Sequence, residues 1–201
     1  MSDATRAPSA RREELLESAY RYALRCGLAD LSLRPLATAI GSSPRVLLFL
    51  FGSKDGLIQD LLARARRDEL ALLDQVRSDP AGGDPATVAR ATWRWLVAPA
   101  HRPLLTLWLE AYARSLVDPR GPWAGFARQT VDDWLTVLAS ASNHEDTGDA
   151  RAERTLTLAV LRGVLLDLLA TGDVDRTTAA VERHLSLVDA AVPGPAEAGR
   201  R

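Results

Sequence analysis

The chain has 201 residues, is 47% hydrophobic and carries a formal net charge of −1, enough to bury one good core or two small ones. No stretch approaches the roughly 20 consecutive apolar residues of a membrane span, and Met1–Pro8 lacks the apolar centre of a signal peptide, so no membrane association and a cytoplasmic setting are expected. Cys26 is the only cysteine, which excludes an internal disulfide and fits a reducing compartment; in its apolar helical surroundings it is expected to be packed core.

Strand signals are nearly absent, whereas apolar residues recur at three-and-four spacing almost throughout, so the fold is expected to be all-α with about nine helices. The first helix is predicted over Arg11–Arg25, with Leu15, Leu16, Ala19, Tyr22, Ala23 and Cys26 on its inward stripe and Gly27 beyond its end. Ser32 is placed to cap a second, short helix over Leu33–Ile40, whose Pro35 falls in the first turn where an N–H has no carbonyl partner. Gly41 and Ser42 make a turn, and Ser43–Pro44 combines an N-cap with proline at the first helical position, opening a third helix over Pro44–Phe51. Gly52 stops it and Ser53 caps a long fourth helix over Lys54–Ser78. Further helices are predicted over Pro85–Ala98, Pro103–Val117, Pro122–Ser142, Ala150–Ala170 and Val174–Ala191, separated by proline, glycine and acidic breakers. A tail at 193–201 is expected to be disordered.

Two short helices joined by a tight turn and braced by a longer one form a helix-turn-helix, in which the second short helix reads DNA. The charge distribution agrees: residues 1–54 carry a net +3 and residues 55–201 a net −4, as expected for polyanion binding confined to the N-terminal part. Lys54, the single lysine against 24 arginines, lies where the positive end of the fourth helix and a compact cation together suit a phosphate. The start of the third helix, at Ser43 and Pro44, offers unpaired N–H groups of the same kind, and Ser32 and Arg34 are placed to reach the backbone from the second. Val46–Phe51 is six apolar residues in succession. A short helix buries only part of its circumference, so Leu47, Phe51 and Leu50 are expected inward, while Leu48 or Phe49 faces out toward thymine methyls or sugars. Arg45 is then the main polar base reader.

In this order of features, Gly27, Leu33–Ala37, Gly41–Pro44, Phe51 and Gly52–Asp55, the segment Arg11–Leu57 resembles the DNA-binding domain of TetR-family transcriptional regulators. The resemblance implies a helix-turn-helix domain over 1–54, a ligand-binding and dimerisation domain over 55–192, and a homodimeric repressor released from a palindromic DNA operator by a small-molecule effector. The chain departs from the family pattern in the reading helix, where a tyrosine and often a histidine usually precede the closing phenylalanine; here Leu48 and Leu50 stand instead.

In the C-terminal part, the segment Ala150–Ala170 is apolar almost all round and must be covered on two sides. Leu161, Leu165 and Leu168, with Val181, Leu185 and Val188 of the last helix, are expected to meet their symmetry mates in a four-helix interface. All five tryptophans fall between residues 93 and 134. Trp93, Trp95, Trp108, Tyr112, Phe126 and Trp134, with Arg162 as a polar partner, are the candidate lining of a pocket for a lipophilic or planar molecule; Arg94, Glu110, Asp133 and Asp167 are further polar candidates. Catalytic patterns are weak: His101, His144 and His184 lack metal-site spacing, and no phosphate loop or nucleophile elbow occurs. No cofactor, metal or catalytic residue is expected. Two alternatives stand beside this reading: an all-α enzyme on a hydrophobic substrate, using carboxylates such as Glu110 and Asp133, and a helical dimer without DNA binding.

Overall fold

The computed structural model describes residues 6–28, 30–77, 85–140 and 147–191. Among them every regular element is helical: α1 Arg6–Cys26, α2 Leu33–Ala39, α3 Pro44–Phe51, α4 Lys54–Arg77, α5 Pro85–Leu96, a short 3₁₀ turn Pro99–His101, α6 Arg102–Val117, α7 Phe126–Ser140, α8 Gly148–Thr171 and α9 Val174–Ala191. The expected all-α class and helix order hold. Two boundaries shift most: α1 begins at Arg6 rather than Arg11, and α7 starts at Phe126 rather than Pro122. Gly121 and Trp123 accept from Ala124 and Phe126 at 3.0 and 3.1 Å, closing successive tight turns before the helix begins. The tail at 193–201 and His144 lie outside the described residues.

The helices form two compact units. One holds residues 1–71 and 102–131, the other 72–101 and 132–201. This division in packing crosses the functional boundary expected at residue 54, because most of α4, all of α6 and the start of α7 share a core with α1–α3.

In the first unit α1 presents Leu15, Leu16, Ala19, Tyr20 and Ala23 to a core completed by Leu36 of α2, Leu47 and Phe51 of α3, Leu57 and Leu61 of α4, and Leu107 and Trp108 of α6. Tyr20, and not the expected Tyr22, is the fully buried tyrosine of α1; Tyr22 is half-buried. Cys26 is also corrected: it is exposed, because the inward stripe of α1 drifts off the core by its last turn. Polar ties cross from α1 to α4. The Tyr20 hydroxyl donates to Asp68 at 2.8 Å and Arg64 donates to Glu17 at 2.5 Å and to Asp68, with its guanidinium 4.7 Å above the Tyr20 ring. Burial, then the bond to Asp68, pushes the Tyr20 phenol well above its ordinary range.

In the second unit α8 and α9 form an antiparallel hairpin against α5. Arg176 grips Asp167 through two bonds of 2.6 and 2.8 Å, across the Gly172 turn, a bidentate geometry that fixes the hairpin's corner. The hydrogen bond to Arg176 holds Asp167 below the usual carboxylate range. Trp93 of α5 is almost completely buried and donates its indole N–H to Thr178 of α9 at 3.0 Å. Arg90 reaches Glu182 and Asp189 on the same helix at 3.0 and 2.8 Å.

The residues of the expected dimer stripe take part in this packing. Leu161, Leu165, Leu168, Val181 and Leu185 are buried within the single chain and Val188 is half-buried, so the first five have no surface to offer a second copy. Three-and-four spacing marks whichever face is apolar, and on α8 two faces are. The exposed large apolar residues of the hairpin are Leu156, Leu166, Val174 and Leu187.

Candidate nucleic-acid interface

The N-terminal helix-turn-helix is assembled by small, local devices. In α2 the buried Leu36 and Ala37 hold the helix on the core, leaving Arg34 and Pro35 exposed. Ser32 occupies the N-cap position in an extended conformation, but its side chain makes no cap bond, so it is an exposed hydroxyl rather than the cap expected. The turn closes through Ser42 N–H to Ala37 O at 2.8 Å. Ser43 then caps α3 as expected: its hydroxyl accepts from Val46 N–H at 3.3 Å and Pro44 takes the first helical position.

Two side chains fix the rotation of α3. Leu47 and Phe51, one turn apart, are the buried residues of the helix, and Leu50 packs partly against the same core. The opposite face therefore carries Arg45, Val46, Leu48 and Phe49, all exposed, with Phe49 at 82%. The expectation that Leu48 or Phe49 faces outward is met by both. Arg45 is the one polar side chain on α3.

At its far end α3 is held from two directions. Arg12 of α1 donates to the Leu50 carbonyl at 3.3 Å, lies 5.1 Å over the Phe51 ring and pairs with Asp60 of α4. One guanidinium thus satisfies a carbonyl that the helix end leaves without an N–H partner and ties three helices together. Ser53 accepts from Gly56 N–H at 2.9 Å, capping α4, and Lys54 and Asp55 open that helix in solvent. Gly56 has a steric role: a Cβ built on it would lie 2.3 Å from the Phe51 carbonyl oxygen. Only hydrogen at that position lets α3 and α4 meet so closely.

The interface candidates Ser32, Arg34, Ser43, Pro44, Arg45, Leu48, Phe49 and Lys54 are all at least partly exposed. They divide into a group on the outer face of α3 and others on α2 and α4. Arg12 and Gly56 were not singled out from the sequence. Arg12 looked like any other basic residue because its partners lie 38 and 48 residues away. Gly56 left a legible trace, a glycine in the first turn of a capped helix.

Glu110 is placed differently from its expected role beside a pocket. Its Oε2 accepts from the Leu28 N–H at 2.8 Å and would sit 3.0 Å from a Cβ on Gly27, whose φ is +78°. A carboxylate of α6 therefore seats the corner between α1 and α2, and glycine at 27 supplies both the left-handed backbone and the room.

The expected aromatic pocket residues separate. Trp108, Tyr112 and Phe126 come together in the first unit with Trp123, the Trp108 and Tyr112 ring centroids 5.3 Å apart, and the Trp108 indole donates to the buried Glu69 at 3.1 Å. Trp93, Trp95, Trp134 and Arg162 belong to the second unit. There Trp93 is core, and Trp95 stacks on His101 at 3.9 Å while the His101 Nδ1–H donates to the Trp95 carbonyl at 2.9 Å. A cavity of about 30 Å³ in the second unit, lined by Ala86, Leu138, Thr157, Leu185 and their neighbours, has none of these aromatics in its wall. Among the described residues no group of three or more His, Cys, Asp or Glu side chains is placed to hold a metal, and no helix is long and apolar enough to cross a membrane.

No family model matches the sequence. The chain is similar to the HTH-type transcriptional regulator BetI of Stenotrophomonas maltophilia (strain R551-3), 27% identical over 111 residues, or 54% of this chain and 56% of that protein. It thus spans little more than half the length of that curated relative. Among solved structures it superposes on a TetR transcription regulator from Haloarcula marismortui ATCC 43049 with a TM-score of 0.71 and 19% identity, covering 90% of this chain and 98% of that one. It also superposes on the multidrug binding protein EbrR complexed with imidazole, with a TM-score of 0.64 and 24% identity over 93% of this chain and 92% of that one.

Proposed function

We propose that this chain, which has the fold of the TetR-family transcriptional regulators, is a homodimeric, sequence-specific DNA-binding repressor that acts in the cytoplasm and is released by a lipophilic or aromatic small molecule. The observation that carries the reading is α3: capped by Ser43, rotationally fixed by Leu47 and Phe51, and flanked by the exposed cations Arg34 and Lys54. Each head, taken as residues 1–54, docks α3 in the major groove with Arg45 toward base edges. Lys54 and the amides opening α3 and α4 engage phosphates, as does Arg34. Residues 55–192 form the ligand-binding and dimerisation domain. The exposed Leu156, Leu166 and Leu187 of the α8–α9 hairpin are the surface of this chain that suits a second copy, and two heads related in this way read a palindrome.

The effector is proposed by analogy with EbrR, a multidrug binding protein whose solved complexes hold imidazole and proflavin. The aromatic group around Trp108, Tyr112 and Phe126 is the place in this chain where such a ligand finds stacking partners. Seated there, it displaces α6, and Glu110 carries the movement to the α1–α2 corner.

Two substitutions separate readout from anchoring. Arg45→Ala is expected to lower preference at particular base pairs by about 1 to 3 kcal/mol, and Lys54→Ala to weaken all sequences alike and flatten the salt dependence by about one charge. Competition binding against a panel of single-base operator variants measures both. If wild type and both variants bind every duplex equally, the head is not the DNA-binding surface.

A further inference from the structure

The outer face of α3 supports a more specific statement about what it reads. We propose that the head recognises the 5-methyl groups of thymine through Phe49, with Leu48 and Val46 beside it. This deepens the reading of the head as a DNA-binding surface and rests on it.

α3 is almost without polar side chains. Over its eight residues, Pro44–Phe51, Arg45 is the one side chain able to exchange a hydrogen bond with a base edge. Guanine, cytosine and adenine mark the major groove with donors and acceptors, and thymine alone adds an apolar group. A reading face of one guanidinium and three apolar side chains therefore matches thymine methyls better than any other pattern of base edges. The three are not spare core residues turned outward by accident of register, because Leu47 and Phe51 fill the core and fix the helix rotation. With that rotation set, Phe49 projects at 82% exposure, and Leu48 and Val46 follow at 42% and 39%.

Charge decides the occupant of this apolar face. Arg45 on α3, Arg34 on α2 and Lys54 at the start of α4 are exposed around it, and residues 1–54 carry a net +3. An apolar protein partner gains nothing from such a rim, whereas duplex DNA presents methyls in the groove and phosphates along both edges. Phe49 is then a specificity residue and the cations hold it in register.

The test uses the full chain and duplex DNA enriched by it from a random pool. Deoxyuridine is substituted for each thymine of the enriched site in turn, which removes a methyl group and leaves every hydrogen-bonding group in place. One or two substitutions per half-site are expected to weaken wild-type binding about fourfold each, the worth of one buried methylene. Phe49→Ala should bind the thymine and uracil sites equally, and Phe49→Leu should retain part of the difference. Because Phe49 is exposed, both variants should melt at the wild-type temperature, and that measurement separates lost contact from lost fold. Duplex binding with no response to any methyl removal overturns the proposal and leaves the head a DNA-binding surface. Binding to no duplex at low salt overturns both, and is the result expected if the Phe49 face meets another protein instead.

Discussion

Gly56→Ala destabilises the reading head by about 3 kcal/mol, in the range of buried overpacking, although alanine is normally the better helix former by close to 1 kcal/mol. The sign reverses because the added Cβ would lie 2.3 Å from the Phe51 carbonyl oxygen. That oxygen cannot step aside freely, since it already accepts from Ser53 N–H at 2.9 Å. Relief of the clash must open the α3–α4 corner, which tilts α3 and carries Arg45 and Phe49 with it. Denaturant unfolding should therefore show lost stability, and operator binding should fall further than unfolding alone explains. Gly163→Ala is the matched control: it lies in α8 with nothing within 4 Å of its Cβ position, and should gain up to about 1 kcal/mol. Equal gains at both positions would mean that the corner is looser than described.

Trp93→Ala is expected to have the largest effect on the second unit, a loss of about 4 kcal/mol, the usual range for deleting a buried large aromatic. Trp93 is 1% exposed and its indole N–H is satisfied by Thr178, so truncation empties a well-filled site between α5 and α9 and orphans a hydroxyl. Trp93→Phe should lose about half as much, because it keeps most of the ring's packing. Urea unfolding followed by circular dichroism measures both. Were Trp93 the wall of an effector pocket instead, alanine would leave stability nearly unchanged and abolish the fluorescence response to ligand.

The local features of the head were legible because each rests on neighbours in sequence. Ser43 before Pro44, Gly52 after Phe51 and Ser53 before Lys54 are start and stop signals with a backbone cause, and they place α3 and α4 at the observed starts. Other features depend on partners far along the chain. Arg12 reaching Leu50 and Asp60, and Glu110 reaching Leu28 across 82 residues, leave no local pattern. The α8–α9 stripe shows a third limit: Leu161 and Leu165 have the spacing of an interface, but periodicity gives the phase of an apolar face without saying what covers it. Likewise the tryptophans cluster in sequence, yet helical turns and chain reversals separate Trp93 from Trp108 into different units.

Equilibrium binding to an enriched duplex as a function of salt shows whether α3 and its flanking cations form a DNA-reading surface. A dimer using Arg34, Lys54 and the openings of α3 and α4 in each head makes about six or more phosphate contacts. Affinity should then fall about a thousandfold between roughly 50 and 200 mM monovalent salt, linearly on logarithmic axes, with the enriched sequence favoured over random duplex throughout. An affinity indifferent to salt, or no preference for any duplex, would mean that α3 does not read DNA.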